Sequence, residues 1–244
     1  MNGGFDMEKQ DLLKLLRGNP YPGRGIVLGK SGDGKSAVAV YFIMGRSENS
    51  RNRIFAPTED GIRTAAADPA KMTDPSLIIY HPVRKAGRGL IVTNGDQTDT
   101  VRDFLLEGRT FAEALKTRTF EPDAPNYTPR ISGLLSPDGG FQLSILKSAE
   151  TTWSGGTPVC CRYFYHYDTP SSGEGRFIHT YQGDGNPLPS FKGEPVRVAL
   201  EEEGPEILAD RVWEALDPEN KVSLFVRFVD LADGTHRDVI RNRN

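Results

Sequence analysis

The sequence predicts an α+β fold built on antiparallel sheets, and three observations predict it. Short apolar runs rich in β-branched and aromatic residues, such as AVAVYFIM at 37–44, are typical of strands. The helical patterns are grouped between runs of strands and do not alternate with them one by one, which argues against a parallel sheet. No linker or fixed-period repeat divides the chain, so we expect a single domain over residues 1–244.

Composition argues against several classes of function. The chain has 244 residues, of which 37% are hydrophobic and 26% charged, as is usual for soluble globular proteins. Its 30 basic and 33 acidic side chains give a net charge of −3, which argues against a general nucleic-acid or membrane-binding surface. No apolar run approaches the roughly 18 residues of a membrane span, and no secretory signal is visible, so we expect a cytoplasmic protein. The sequence leaves a homo-oligomer open.

Side chains that hold metal ions are few and poorly spaced. The two cysteines, Cys160 and Cys161, are adjacent in a strand-like run and cannot form a C-x-x-C pair. The four histidines show no metal-binding spacing either. We therefore expect neither a metal site nor an organic cofactor, and we interpret the cysteines as strand residues facing opposite sides.

The first half of the chain predicts a helix and two antiparallel strand pairs. Leucines at helical spacing over residues 6–17 predict a short outer helix that ends before Pro20. Residues 54–75 are interpreted as a connection with room for one exposed strand. The predicted strand pairs are 26–28 with 37–44, and 77–80 with 89–93.

The second half predicts two short helices within 96–118, further strands and an amphipathic helix. Thr98 or Asp99 can cap the first short helix, and Gly108 can end it. Thr110 with Glu113 resembles a capping box for the second short helix. The amphipathic helix over 204–217 is expected to turn Ile207, Leu208, Val212, Trp213 and Leu216 inward. The remaining strands are expected within 131–150, 159–168, 195–200 and 222–229.

Two interpretations compete for the glycine-rich segment 29–36, GKSGDGKS. It satisfies the phosphate-loop pattern G-x-x-x-x-G-K-[ST], which would place an ATPase or kinase site at Lys35 and Ser36. Such a site needs a helix after the loop, but the run that follows has no polar face. We therefore favour a β-hairpin tip, in which Gly32 and Gly34 adopt positive φ and the lysines are solvated.

A basic segment follows the second strand of this hairpin. Residues 45–53, GRSENSRNR, carry three arginines together with hydroxyl and amide side chains. Arginine forks bind phosphate in a bidentate manner, so the segment is a candidate anion site. A solvated basic turn accounts for the same residues, and the stretch alone leaves both interpretations open.

Four short motifs, taken in order, resemble the archaeal-type IMP cyclohydrolases. They are NPYPGRG at 19–25, GRSENSRNR at 45–53, TNGD at 93–96 with Thr98 and Asp99, and YTPRI at 127–131. The resemblance implies a four-layer αββα sandwich of antiparallel sheets, like that of the Ntn hydrolases. It also implies ring closure of a formamidoimidazole carboxamide ribonucleotide to IMP with loss of water, without a cofactor. A nucleotide-binding homologue that lacks this activity stays open.

The resemblance, together with the chemistry of ring closure, nominates the site residues. Positioning carries much of the barrier in an intramolecular reaction, so arginines, a tyrosine and polar side chains suffice. The catalytic candidates are Tyr80 as a donor near the reacting amide, Asp96 as a base or ribose contact, and Arg53 as an oxyanion or phosphate contact. The substrate-binding candidates are Arg24, Arg46, Ser47, Arg51, Asn94, Gly95, Tyr127, Thr128 and Arg130.

An amide hydrolase of the Ntn type is the remaining alternative. That class needs an N-terminal Thr, Ser or Cys whose free amine acts as the base. The sequence begins Met1-Asn2-Gly3 and shows no processing site, so we do not expect this chemistry. Structural roles also explain several candidates, since an Asn-Gly pair is a common turn signal and a buried tyrosine is common in cores.

Overall fold

The first of two antiparallel sheets contains the hairpin. The computed structural model describes residues 8–149 and 158–243. In it, β1 (Arg24–Lys30) and β2 (Ser36–Met44) pair antiparallel and are joined by a short turn, and β12 (Lys221–Asp230) pairs with the other side of β2. The strand order across this six-stranded sheet is β11 (Val196–Ala199), β10 (Glu174–His179), β1 (Arg24–Lys30), β2 (Ser36–Met44), β12 (Lys221–Asp230) and β13 (His236–Asn242).

The second sheet is built from seven strands that are consecutive in the chain. All of its pairings are antiparallel, so the chain runs back and forth across it. The order across its seven strands is β3 (Arg53–Pro57), β4 (Gly61–Ala66), β5 (Val83–Ala86), β6 (Gly89–Thr93), β7 (Arg130–Leu135), β8 (Phe141–Ser148) and β9 (Cys160–Tyr167).

The alternation of side chains along the strands divides the core. One face of β1 and β2 packs with the second sheet, as in the cluster that joins Ile26 and Tyr41 to Phe55. Their other face packs with two helices, α1 (Leu12–Arg17) and α5 (Pro205–Ala215). The second sheet packs in turn against α3 (Gln97–Leu106) and α4 (Phe111–Lys116), and the one-turn helix α2 (Glu48–Arg51) precedes β3.

The hairpin prediction is confirmed, and the phosphate-loop interpretation is wrong. The segment after the glycine loop is strand β2, so no helix N-terminus faces the loop. Gly34 has φ +73° as expected, but Gly32 does not have a positive φ, because one such residue suffices to close this turn. A network around Asp33, which accepts bonds from the Ser31 hydroxyl and the Lys35 amide, completes the turn.

The prediction of a strand at 77–80 is wrong. Ile78 and Ile79 both donate their amides to the Pro75 carbonyl, so the segment is a turn, and β6 pairs with β5. The apolar run is too short to distinguish a strand from a buried turn by periodicity alone. The connection expected at 54–75 contains two strands, β3 and β4, whose half-exposed residues give only a weak apolar pattern.

The helices confirm some of the predicted caps and correct others. The Thr110–Glu113 capping box is present, and Gly108 follows the end of α3. Neither Thr98 nor Asp99 caps α3, because both lie inside the helix, which begins at Gln97. Ile207 is 56% exposed and was wrongly expected to face inward.

The other predicted segments largely match the observed elements. Helix α1 begins only at Leu12, capped by Asp11, and residues 6 and 7 of the predicted helix lie outside the described residues. Leu208, Val212 and Leu216 are buried as predicted. The strands at 131–150, 159–168, 195–200 and 222–229 are present as β7, β8, β9, β11 and β12, with residue 150 outside the described residues, whereas β10 and β13 were not predicted.

Candidate functional site

The candidate site lies where segments of both sheets bring charged and phenolic side chains together inside the protein. The electrostatic interactions of Arg24 reach Glu121, Tyr181 and Tyr80, and those of Arg53 reach Tyr80, Arg24 and Tyr41. Six segments contribute: the start of β1 (Arg24), β2 (Tyr41), the start of β3 (Arg53), the turn before β5 (Tyr80), the loop before β7 (Glu121) and the residues after β10 (Tyr181).

Arg24 and Glu121 form the charged centre of this site. Arg24 Nη2 lies 3.7 Å from Glu121 Oε2, and the two side chains are 11% and 3% exposed. Burial raises the pKa of Glu121 above its ordinary value, although the charge of Arg24 acts in the opposite direction. The pKa of Arg24 is raised, because Glu121 and the neighbouring tyrosines outweigh the effect of burial. A carboxylate with a raised pKa is suited to accept a proton near neutral pH.

Arg53 adds a second buried guanidinium. The residue is 1% exposed and donates from Nε to the Ser50 carbonyl at 2.7 Å. Burial, together with the nearby charge of Arg24, holds the pKa of Arg53 below its ordinary value. Among the described residues, Arg53 Nη1 and Arg24 Nε are buried without a hydrogen-bond partner. Buried donors of this kind on two neighbouring cations can receive a hydrogen-bond acceptor or an anion.

Tyr80 is fixed beside these cations. Thr64 on β4 accepts from the Tyr80 amide at 2.8 Å, and it donates its hydroxyl to the Tyr80 carbonyl at 3.1 Å. The Tyr80 hydroxyl lies 2.8 Å from that of Tyr41, and Tyr80 is 7% exposed. Tyr80 is therefore held at its backbone by Thr64 and at its side chain by Tyr41.

A second hydrogen-bonded chain enters from the proline-rich loop. The hydroxyl of Thr128 lies within hydrogen-bonding distance of both the Asp123 carboxylate and the Tyr181 hydroxyl. Since an ionised carboxylate can only accept, Thr128 donates to Asp123 and Tyr181 donates to Thr128. The oxygen of Tyr181 is thereby left as an acceptor for a group in the site.

Arg46 lies at the rim and not in the buried centre. Its guanidinium sits 4.9 Å from the ring centroid of Tyr21, which in turn stacks on Tyr181 at 5.9 Å. Arg46 is paired with Asp184 at 2.5 Å, and both side chains are substantially exposed, at 40% and 56%. An exposed pair of this kind contributes little to stability, so Asp184 is readily exchanged for another anion.

Several nominated residues have structural partners. Ser47 caps α2 by accepting from the Ser50 amide, and Arg51 donates to the Gly45 carbonyl. Asn94 accepts from the Ile131 amide and donates to the Pro129 carbonyl, so it joins the end of β6 to the start of β7. These contacts explain the residue types without a substrate.

Asp96, Arg130 and Gly95 form one packed group. Asp96 accepts from both Arg118 and Arg130, and Arg130 also donates to Gln97 at 2.7 Å. Partial burial raises the pKa of Asp96, but the two arginines outweigh it and hold the pKa below its ordinary value, which makes Asp96 a poor proton acceptor. A β-carbon at Gly95 would lie 2.5 Å from Arg130 Nη1 and 2.6 Å from Gln97 Oε1, so a larger residue there would have to displace the ends of these two side chains.

The structure brings four of the nominated residues, Arg24, Arg53, Tyr80 and Thr128, together with buried partners that carry no signal in the sequence. Glu121 and Tyr41 are buried in the site and neither was nominated for it, and Tyr181 is buried there as well. Glu121 stands alone between Phe120 and Pro122, and Tyr41 lies in an apolar run, so neither carries a local signal. Tyr127 has φ +44° and contacts Phe120 edge-on at 5.3 Å, near the site residue Glu121 in the chain.

Two other properties bear on function. In the ranges 8–149 and 158–243, no group of three or more His, Cys, Asp or Glu side chains could hold a metal ion. Among the helices described in those ranges, none has the length and apolar character of a membrane-spanning segment.

Comparison with known proteins identifies the family of the chain. The sequence model of the family described as IMP cyclohydrolase-like protein matches residues 21–235, which include every residue of the site. The chain is 31% identical over 164 residues to the IMP cyclohydrolase of Methanopyrus kandleri, covering 66% of this chain and 75% of that protein.

Two further relatives match over a shorter region. The IMP cyclohydrolase of Halobacterium salinarum is 32% identical over 132 residues, covering 52% of this chain and 63% of the relative. The IMP cyclohydrolase of Methanococcus maripaludis is 32% identical over 126 residues, covering 50% and 61%. The extent of the family match shows that the chain belongs to the IMP cyclohydrolase-like protein family.

Proposed function

We propose that this protein is an IMP cyclohydrolase that closes 5-formamidoimidazole-4-carboxamide ribonucleotide to IMP. The observation that carries the proposal is the buried Glu121 carboxylate 3.7 Å from Arg24, whose electrostatic interactions also reach Tyr80. Ring closure needs a base for the carboxamide nitrogen and donors for the formyl oxygen, and this cluster supplies both. The family match and the names of the relatives support the same reaction.

The chemistry can be assigned to side chains. Glu121 accepts a proton from the carboxamide nitrogen as that nitrogen bonds to the formyl carbon, because its raised pKa makes it a base of suitable strength. Tyr80 and Arg24 donate to the formyl oxygen as it gains negative charge. The oxygen leaves as water with two protons, one from the carboxamide nitrogen and one from the formamido nitrogen. Arg53, which is buried near Tyr80 and Arg24, stabilises the same charge.

We assign the 5′-phosphate of the substrate to Arg46, at the exposed rim of the site. Arg46 is exposed and its ion-pair partner is the exposed carboxylate of Asp184, so a phosphate displaces that carboxylate at little cost. The stacked rings of Tyr21 and Tyr181 connect this rim to the buried centre. Arg130, held by Asp96, and Thr128, held by Asp123, support the walls of the site.

We also propose that the chain forms one domain with the four-layer αββα arrangement of the Ntn hydrolases. The packing of α1 and α5 on one sheet and of α3 and α4 on the other supports the four layers. The cluster shared by both sheets supports a single folding unit.

Titration calorimetry with IMP and with inosine tests the substrate class. IMP should bind, and inosine, which lacks the phosphate, should bind at least about tenfold more weakly, since a charge-assisted bond contributes about 1.5–3 kcal/mol. Arg46→Gln should remove that difference, whereas Arg237→Gln, a matched change at an exposed arginine paired with Glu206, should not. Equal affinity for IMP and inosine would contradict the assignment of the phosphate site.

A further inference from the structure

The hydroxyls of Tyr41 and Tyr80 form a pair whose direction can be assigned. Tyr41 is fully buried on β2, with its ring stacked on Phe55 at 5.6 Å, and its hydroxyl lies 2.8 Å from that of Tyr80. Within the described residues, the Tyr80 hydroxyl is the only hydrogen-bond partner of the Tyr41 hydroxyl. Burial and the proximity of Tyr80 raise the pKa of Tyr41, so its hydroxyl keeps its proton.

Each phenol has a single proton, and burial decides which one lies between the two oxygens. If Tyr80 donated to Tyr41, the proton of Tyr41 would be buried with no acceptor, which is unfavourable. If Tyr41 donates, its proton is satisfied and the proton of Tyr80 is free to reach a group in the site. Tyr80 retains some exposure, and Thr64 prevents it from moving away.

We propose that Tyr41 is a positioning residue that keeps Tyr80 as a hydrogen-bond donor to the formyl oxygen. The proposal rests on the proposed cyclohydrolase function and adds to it a residue that does not touch the substrate. Because the Tyr80 oxygen accepts from Tyr41, its own O–H is polarised and directed towards the reacting end. A donor fixed in this way is worth more in the transition state, where the formyl oxygen carries charge, than in the bound substrate.

A double-mutant cycle on turnover tests this role. Tyr80→Phe should lower kcat by about 100-fold, the usual effect of losing one donor to a developing oxyanion. Tyr41→Phe should lower kcat by about tenfold and leave KM within about twofold, because it changes the transition state and not the bound substrate. In the Tyr80→Phe background, Tyr41→Phe should have no further effect on kcat, since no donor is left to position.

Control variants separate a positioning role of Tyr41 from a general effect on the fold. Tyr165→Phe removes a hydroxyl that donates to the Gly193 carbonyl outside the site, and it should leave kcat unchanged. Thermal unfolding of every variant verifies the fold, which Tyr41→Phe should keep because its ring still stacks on Phe55. Fluorotyrosine at position 41 has nearly the same shape and is a stronger donor, so kcat should not fall; a large fall would contradict the proposal whether or not Tyr41→Phe folds.

The outcomes separate this proposal from the function on which it rests. A wild-type protein that forms no IMP rejects the proposed function, and the role of Tyr41 with it. A wild-type protein that turns over, with Tyr41→Phe unaffected or equally harmful in both backgrounds, rejects the role of Tyr41 alone.

Discussion

At the scale of single residues, the degree of burial decides the pKa values of two carboxylates in and around the site, even though each of them lies near an arginine. Asp96 and Glu121 are both carboxylates beside arginines, yet the pKa of Asp96 lies below its ordinary value and that of Glu121 above it. Asp96 is partly exposed and accepts hydrogen bonds from two guanidiniums. Glu121 is buried, and its ion pair with Arg24 is longer, at 3.7 Å. The residue that the sequence nominates as a base is therefore less suited to that role than the one it misses.

Glu121→Gln tests the proposed base. Removing the carboxylate while keeping the shape should lower kcat by about 100-fold or more, the usual contribution of general-base catalysis. In the wild type, kcat should fall as the pH drops through the raised pKa of Glu121, because the protonated carboxyl cannot accept a proton. Glu219→Gln, at an exposed glutamate paired weakly with Arg243, is the matched control. A folded Glu121→Gln variant with wild-type turnover would disprove the assignment.

At the scale of elements, local signals specified the hairpin and the Thr110 cap but not the strands that are half exposed. The hairpin could be predicted because β2 is an unbroken apolar run after a turn sequence, and the Thr110 cap because its partner is three residues away. Strands β3 and β4 could not, since their exposed positions and short length weaken the alternation. Their strand conformation depends on pairing with each other and with β5.

The hairpin tip gives a prediction for stability. Lys35 is 79% exposed, so Lys35→Ala should change the free energy of unfolding by less than about 0.5 kcal/mol and leave nucleotide affinity unchanged. Gly34→Ala should destabilise by about 1 kcal/mol or more, because φ is +73° and the new β-carbon would lie 2.4 Å from the Ser172 hydroxyl. Chemical denaturation measures both. Loss of nucleotide binding in Lys35→Ala would restore the phosphate-loop interpretation.

Strand β10 ends in a histidine that predicts pH-dependent stability. Burial lowers the pKa of His179 to about 4, and its Nδ1 lies 2.7 Å from the Tyr181 carbonyl. The unfolded chain binds a proton at this residue below about pH 6.5, whereas the folded chain does so only near pH 4. The unfolded state therefore gains protons first, and stability falls as the pH decreases from about 6.5 towards 4.

His179→Gln should reduce that loss. The variant removes the titrating group, so its melting temperature should fall less than that of the wild type between pH 7 and about pH 4.5. His166→Gln, at an exposed histidine paired with the exposed Asp168, should behave like the wild type. Parallel pH profiles for wild type and His179→Gln would show that His179 does not account for the dependence.

At the scale of the whole molecule, the sequence indicated the fold class and four of the residues that the structure buries together. The other members of this cluster could not be predicted, for a physical reason. Periodicity and turn chemistry are local, so they predict antiparallel pairs and an α+β fold. The contacts of Arg24 with Glu121 and of Tyr41 with Tyr80 join segments far apart in the chain, and no local pattern encodes them. Family motifs supplied part of this information. They contain residues of the buried cluster together with residues such as Asn94, which hold the strands in place.

The most direct test of the central claim is IMP formation from 5-formamidoimidazole-4-carboxamide ribonucleotide by the purified protein with a metal chelator present. The buried cluster contains its own base and donors, so turnover should exceed the uncatalysed background and be unaffected by the chelator. Folded protein that gives no IMP above background would contradict the account.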